Sequence, residues 1–233
     1  MTPAENAYPS PSDCGGRRLR LTEAYRAERE RLNALAARDD PQGEYAHPAF
    51  GEGEPGARVV LIGEAPGAEE TKYGRPFVGR AGRQLDALFS RFGVSRADVY
   101  ITNVVKYRPV VRSEKSLRNR TPGKPEIESS LPLLELELET IAPDFVLTLG
   151  NTPLWAVCRL CRQAPRFVGE AHGALISMAL GALRFGFIPL YHPASGLYNP
   201  SLVAVMEKDA EFVGKTLGSA KRTLYDADGR MLY

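Results

Sequence analysis

Short apolar runs recur along the middle of the chain, at residues 58–62 (RVVLI), 99–105 (VYITNVV), 145–149 (FVLTL) and 185–191 (FGFIPLY). Each is bounded by turn residues and has the length of a strand buried on both faces. Between and after them apolar residues return every three or four positions, which predicts helices over 80–92, 126–141, 152–162 and 200–217. In the second of these Ile127, Leu131, Leu134, Leu138 and Ile141 share a face, and the internal Pro132 is expected to kink or split it. Strand alternating with helix predicts right-handed crossovers and a parallel sheet covered on both sides. Ligands of such folds bind beyond the C-terminal ends of the strands, so the loops that follow strands are where chemistry is sought.

Flanking this alternation are segments of other character. Residues 1–18 are rich in Pro, Ser, Gly and Asp and are read as a flexible tail, and 221–233 as a second tail. Over 19–38 the charges are dense, but Leu21, Tyr25, Leu32, Leu35 and Ala36 fall on one helical face, which predicts an amphipathic helix packed on the main body. A linker to residue 45 then leads into a single large domain over 46–220.

Length and composition agree with one folded body: 233 residues, 43% apolar and 25% charged. The longest run without Asp, Glu, Lys or Arg, 185–206, is broken up by Pro189, His192, Pro193, Asn199 and Pro200, so it is not the continuous apolar stretch of about 20 residues that a membrane-spanning helix needs. Residues 1–12 contain no apolar stretch of the kind a secretory signal needs, and a cytoplasmic location is expected. The net charge of +2 gives no global attraction to polyanions, yet charge is segregated. Residues 106–124 hold seven Lys or Arg, Lys106 and Arg108 among them, against the one acid Glu114, whereas 126–139 holds five Glu and no base. A basic loop directly after a strand suits a polyanion, and equally a neutralising contact with the acidic helix beside it.

The strand-end loops hold the candidate chemistry. Gly63-Glu64-Ala65-Pro66-Gly67 makes a tight turn open to close ligand approach, with Glu64 as its chemically suggestive member. It lacks the Lys and Ser or Thr of a phosphate loop and the G-x-G-x-x-G of a dinucleotide fold. Phe77 lies between glycines and arginines in Gly74-Arg75-Pro76-Phe77-Val78-Gly79, where it can be a base-stacking platform or a core ring. Asn103 sits in a strand, where an amide needs a specific partner; one acceptor and two donors suit the edge of a pyrimidine. His192, in Tyr191-His192-Pro193-Ala194-Ser195, follows the last strand, while His172 is read as structural.

Taken in order, G-E-A-P-G, G-R-P-F-V-G-R-A-G, Y-I-T-N-V-V-K and H-P-A-S resemble the uracil-DNA glycosylase superfamily, most closely its family four, over about residues 50–210. The resemblance implies a three-layer α/β/α sandwich with a central four-stranded parallel sheet, and hydrolysis of the N-glycosidic bond of a flipped deoxyuridine in DNA; a monomer is expected, although the sequence itself does not show the oligomeric state. It implies that Phe77 stacks on the uracil, Asn103 reads N3–H and O4, and His192 donates to O2 of the departing base. The loop holding Gly63, Glu64, Ala65 and Gly67 positions the water, with Glu64 its polar handle and Glu70 behind it. Arg75, Lys106, Arg108, Ser195 and Leu197 are the expected DNA contacts, Leu197 or Tyr198 as a wedge into the duplex. Family-four enzymes hold an iron-sulfur cluster on four cysteines. Here two of those positions are Tyr107 and Ser130, and no C-x-x-C precedes Phe50, so no cluster and no other cofactor is expected. Cys158 and Cys161 are read as core packing on a helix. The alternative functions are excision of a related deaminated base, and a catalytically silent nucleic-acid-binding protein with the same pocket.

Overall fold

The computed structural model describes residues 14–38, 40, 43–113 and 116–219. Element order is α1 (Cys14–Arg38), β1 (Val59–Gly63), α2 (Ala68–Tyr73), α3 (Arg80–Phe92), β2 (Val99–Asn103), β3 (Val110–Ser113), β4 (Ser116–Asn119), α4 (Lys124–Ile141), β5 (Phe145–Leu149), α5 (Asn151–Leu160), α6 (Val168–Ala171), β6 (Ile176–Leu180), β7 (Leu183–Leu190), α7 (Ser195–Tyr198) and α8 (Ser201–Ser219). The main sheet has the order β2-β1-β5-β7-β6, and β3 pairs with β4 in a ribbon of its own.

The four apolar runs are the four parallel strands, and their alternation explains the layers. Val60 and Ile62 face a core made with Leu21 and Leu32 of α1, Leu134 and Leu138 of α4, and Leu154 and Val157 of α5. Val59 and Leu61 face the other side, against Leu85 and Phe89 of α3 and Val213 of α8. Helices thus cover both faces of the sheet, the three-layer α/β/α arrangement expected. The addition is β6, an antiparallel edge strand joined to β7 through a two-residue turn at Gly181, whose φ of 57° is left-handed.

Three expectations are corrected. Residues 14–18 belong to α1 and not to a tail, because Arg17 is buried and its guanidinium donates to the carbonyls of Pro55 and Ile141. Residues 1–13 and 220–233, where the remaining tail assignments fall, lie outside the described residues. Pro132 does not split its helix: α4 runs unbroken from Lys124 to Ile141. Residues 110–113 and 116–119 pair as the β3–β4 ribbon and do not form an open loop. Among the described residues no helix is long and apolar enough to cross a membrane.

Candidate active site

Parallel pairing sets the floor of the site. Gly63, the last residue of β1, is in register with Asn103, the last residue of β2. The alignment continues past both strands, where the Val104 N–H donates to the Gly63 carbonyl at 2.9 Å and the Val105 N–H to the Glu64 carbonyl at 3.1 Å. The next strand ends deliver Gly150-Asn151-Thr152 after β5 and Tyr191-His192 after β7, with the Gly150 N–H donating to the Leu190 carbonyl at 2.8 Å. These ends line a cleft of about 700 Å³ together with Glu64, Ala65, Gly67, Phe77, Asn119 and Ser195.

Gly63 is required by close approach. A Cβ there would collide with Asn103 Oδ1 and would stand 2.5 Å from Phe77 Cζ. The amide and the ring are therefore packed together over a residue without a side chain. Phe77 is held in a left-handed conformation, φ 52°, unusual for an aromatic residue. Its carbonyl occupies the space a Cβ on Gly82 would need, so the first turn of α3 supports it from below. Glu70 joins this segment to the loop after β1, Oε1 accepting the Gly79 N–H at 2.8 Å and Oε2 the Gly67 N–H at 3.1 Å.

Glu64 is half-buried, and its Oε2 accepts the Thr152 hydroxyl at 2.6 Å. Burial raises its pKa above the ordinary carboxylate value, and the Thr152 hydrogen bond opposes the rise. With Oε2 engaged, Oε1 is left for a ligand or water in the cleft. His192 Nδ1 accepts the Ala194 N–H at 3.2 Å, so the neutral ring carries its proton on Nε2. Burial lowers the pKa of His192 below 6.5, which keeps the ring neutral at pH 7. Its ring centroid is 6.5 Å from that of Phe77. The cleft thus brings together a stacking ring, an amide, a neutral N–H donor and a carboxylate with elevated pKa.

The structure brings Gly63, Glu64, Ala65, Gly67, Phe77, Asn103, His192 and Ser195 to one cleft. It does not bring Lys106 there. That side chain, 1% exposed, points inward and donates to Glu137 Oε2 at 2.6 Å, to Thr102 Oγ1 at 2.7 Å and to the Asn103 carbonyl at 2.6 Å. As a DNA contact Lys106 is corrected: an ammonium sealed behind the sheet cannot reach a phosphate. Arg75 lies on the surface and holds Glu52 in a bidentate pair, and Arg108 Nε donates to Asn119 Oδ1 at 2.7 Å. The side chain of Leu197 lies outside the described residues. Sequence reasoning missed Thr152, Asn119 and Tyr191; Thr152, in the first turn of α5, and Tyr191 both follow strand ends, the places the fold class itself marks.

The positions where the resemblance would put cluster cysteines hold other chemistry. The Tyr107 hydroxyl donates to Glu126 Oε1 at 2.9 Å, and Ser130 Oγ donates to the Glu126 carbonyl at 2.8 Å. The Tyr45 ring packs edge-on against Tyr107 with centroids 4.6 Å apart. Cys158 and Cys161 are buried at the end of α5, where burial pushes the Cys161 thiol up to about 12, and Cys14 is exposed on α1. A phenol and a hydroxyl at those two positions, with Cys158 and Cys161 together at the end of α5, are not the set of four cysteines that an iron-sulfur cluster needs, so these residues do not fit one.

Comparison with known proteins agrees with this geometry. Residues 50–217 match the family model of the uracil DNA glycosylase superfamily. The chain is 37% identical over 175 residues to a type-4 uracil-DNA glycosylase of Saccharolobus solfataricus, covering 75% of this chain and 78% of that one. It is 39% identical over 165 residues to one of Pyrobaculum aerophilum, with 70% and 81% covered, and 34% identical over 176 residues to one of Archaeoglobus fulgidus, with 76% and 85% covered. Ordered strand-end motifs, their convergence on one cleft and these similarities lead to one conclusion: the chain belongs to the uracil-DNA glycosylase superfamily.

Proposed function

We propose that this protein is a monofunctional DNA glycosylase that excises uracil from DNA by flipping the nucleotide into the cleft, without a metal. The observation that carries the reading is the interlocking of Gly63, Asn103 and Phe77 at the cleft floor, with His192 in the same cleft. A planar pyrimidine stacked on Phe77 presents its edge to the Asn103 amide, which accepts from N3–H and donates to O4. Uracil satisfies both groups, whereas cytosine offers an unprotonated N3 and a donor at C4, leaving buried polar atoms unpaired.

In the reaction the C1′–N1 bond breaks and its electron pair leaves with the base as a uracil anion. The His192 Nε2–H donates to O2, where that charge develops, so the contact is strongest in the transition state. Glu64 Oε1 accepts a proton of the water whose oxygen bonds to C1′, and Thr152 fixes the carboxylate for that role. Ala65 supplies no acid or base, so Glu64 is the one carboxylate in this loop. The residues at 107 and 130 support a reading without a cluster. Ser195 in the cleft, Arg108 beside Asn119 and the surface residue Arg75, with Leu197 on α7 as the wedge, serve the DNA backbone and the vacated stack.

The test uses end-labelled oligonucleotides with a single uracil, treated with alkali after incubation, alongside elemental analysis of the protein for iron. Strand cleavage at uracil by iron-free protein supports the proposal. DNA binding without cleavage at uracil would instead favour another base or a silent binding protein.

A further inference from the structure

The β3–β4 ribbon is not explained by the cleft chemistry. Among the described residues it is paired with no other strand, and it grows from a fixed base. The Val110 N–H donates to Glu44 Oε1 at 2.6 Å, the Arg120 guanidinium bridges Glu44 and Glu126, and the Arg120 N–H donates to the Pro109 carbonyl at 3.0 Å. These contacts also consume the charge of Arg120, so the base that follows the ribbon is not available to a polyanion. Beyond this anchor the ribbon is exposed and carries both apolar and basic residues, Val111 and Leu117 with Arg112 and Arg118.

Register decides which of them face the cleft. Asn119, at the end of β4, lines the cleft. Leu117 is two residues away and so shares its face, and Arg112 lies directly across from Leu117. Val111 and Arg118 are paired on the opposite face. At roughly 3.3 Å per residue Leu117 stands about 7 Å from Asn119, the length of about two base-pair rises. The ribbon follows β2 at one edge of the parallel sheet and α7 follows β7 on the other side, so the two arms flank the cleft.

We propose that the ribbon is a second DNA-binding arm, with Leu117 packing against the base pair next to the flipped nucleotide and Arg112 contacting a phosphate of the same strand. This rests on the uracil-excision reading and extends it. An apolar side chain beside an extruded base offsets lost stacking, which matters in a duplex and not in a flexible single strand. A solvent-facing leucine paired with an arginine on a ribbon beside the cleft matches a groove lined by phosphates in both charge and polarity.

The experiment compares full-length wild type with Leu117→Ala, Arg112→Gln and, as a control at the opposite end of the sheet, Arg184→Gln, each checked for an unchanged melting temperature. Single-turnover cleavage of a uracil oligonucleotide is measured single-stranded and in duplex, and binding to an undamaged duplex is measured against salt. Leu117→Ala should slow the duplex reaction about tenfold or more, the loss of roughly 1.4 kcal/mol of unstacking compensation, and leave the single-stranded one within about twofold. Arg112→Gln should reduce the slope of log Kd against log salt by about 0.9, one phosphate contact, while Arg184→Gln leaves it unchanged. Equal effects of Leu117→Ala on both substrates, no effect on either, or a salt slope unchanged by Arg112→Gln would overturn the arm. Should wild type release uracil from neither substrate, the excision reading falls while the salt slope still decides whether the ribbon lies on DNA.

Discussion

Lys106 Nζ lies 2.6 Å from Glu137 Oε2, with the two side chains 1% and 0% exposed. Glu137 also accepts hydrogen bonds from the Tyr25 hydroxyl of α1 at 2.5 Å and from Thr102 of β2. The pair therefore links α1, the sheet and α4 behind the site, and through the Asn103 carbonyl it reaches the residue that reads the base. Burial pulls the Lys106 ammonium down from its ordinary pKa, and the adjacent Glu137 carboxylate opposes that shift.

Breaking the pair should be costly and should not resemble loss of a DNA contact. Lys106→Met leaves a carboxylate buried without a counter-ion and should lower stability by about 3–5 kcal/mol in urea unfolding. Adding Glu137→Gln removes that charge and keeps an acceptor for Tyr25 and Thr102, so the double variant should be more stable than the single. Equal stabilities would show that the buried charge is not what the single change exposes.

Glu64 gives the pH dependence. Its pKa is raised in the folded protein, so the fold prefers the protonated form; its contribution to stability is full below pH 4.5 and is lost as pH rises through the elevated value. Glu64→Gln should consequently melt higher than wild type at pH 7, with the difference vanishing below pH 4.5. Activity runs the other way. The wild-type rate should rise as Glu64 ionises, with its midpoint above 4.5, and Glu64→Gln should be slower by about 10²-fold or more and lack that rise. His192 also protonates below 6.5, where its Nδ1 no longer accepts the Ala194 N–H, so any slope that remains in Glu64→Gln reports His192 and the difference between the two profiles reports Glu64.

Gly63→Ala should disable the site while leaving the core intact. The added methyl displaces both the Asn103 amide and the Phe77 ring. A shift of about 1 Å in either group is enough for a loss on the order of 10²-fold in single-turnover rate. Ala65→Gly, in the same loop, should leave both groups in place, and a comparable loss there would argue that the loop backbone and not the Gly63 contact matters.

Phe77→Ala should weaken the reaction through stacking. Removal of one base–aromatic contact costs about 1–3 kcal/mol, or roughly 5- to 150-fold in kcat/KM. Phe77→Tyr, which keeps the face, should retain most of it.

Legibility followed how local each signal was. The strands β1, β2, β5 and β7 were readable because burial on both faces writes an unbroken apolar run, and their ends located Glu64, Asn103 and His192. Strand β6 was missed as half-exposed and short, although the Leu180-Gly181-Ala182-Leu183 turn carried a hairpin signature with Gly in the first central position. The start of α1 was hidden by Gly15 and Gly16, poor helix formers that the buried Arg17 overrides. Lys106 was misread because its partner stands 31 residues away, and a charge count along the chain cannot tell an inward ammonium from an outward one. The pairing of Thr152 with Glu64 was out of reach for the same reason, since 88 residues separate them, although its place after β5 was legible.

The most direct measurement is chromatographic detection of free uracil from a uracil-containing duplex under single turnover, for wild type, Asn103→Ala and His192→Ala. The account predicts stoichiometric uracil release by wild type. It predicts a rate for His192→Ala lower by about 10²–10³-fold, as expected for losing one donor to a developing oxyanion. Asn103→Ala should fall by at least tenfold, the cost of one lost hydrogen bond of about 1.4 kcal/mol. No uracil from wild type, or variants that release it within a few-fold of the wild-type rate, would contradict the assignment of this cleft as the site of base excision.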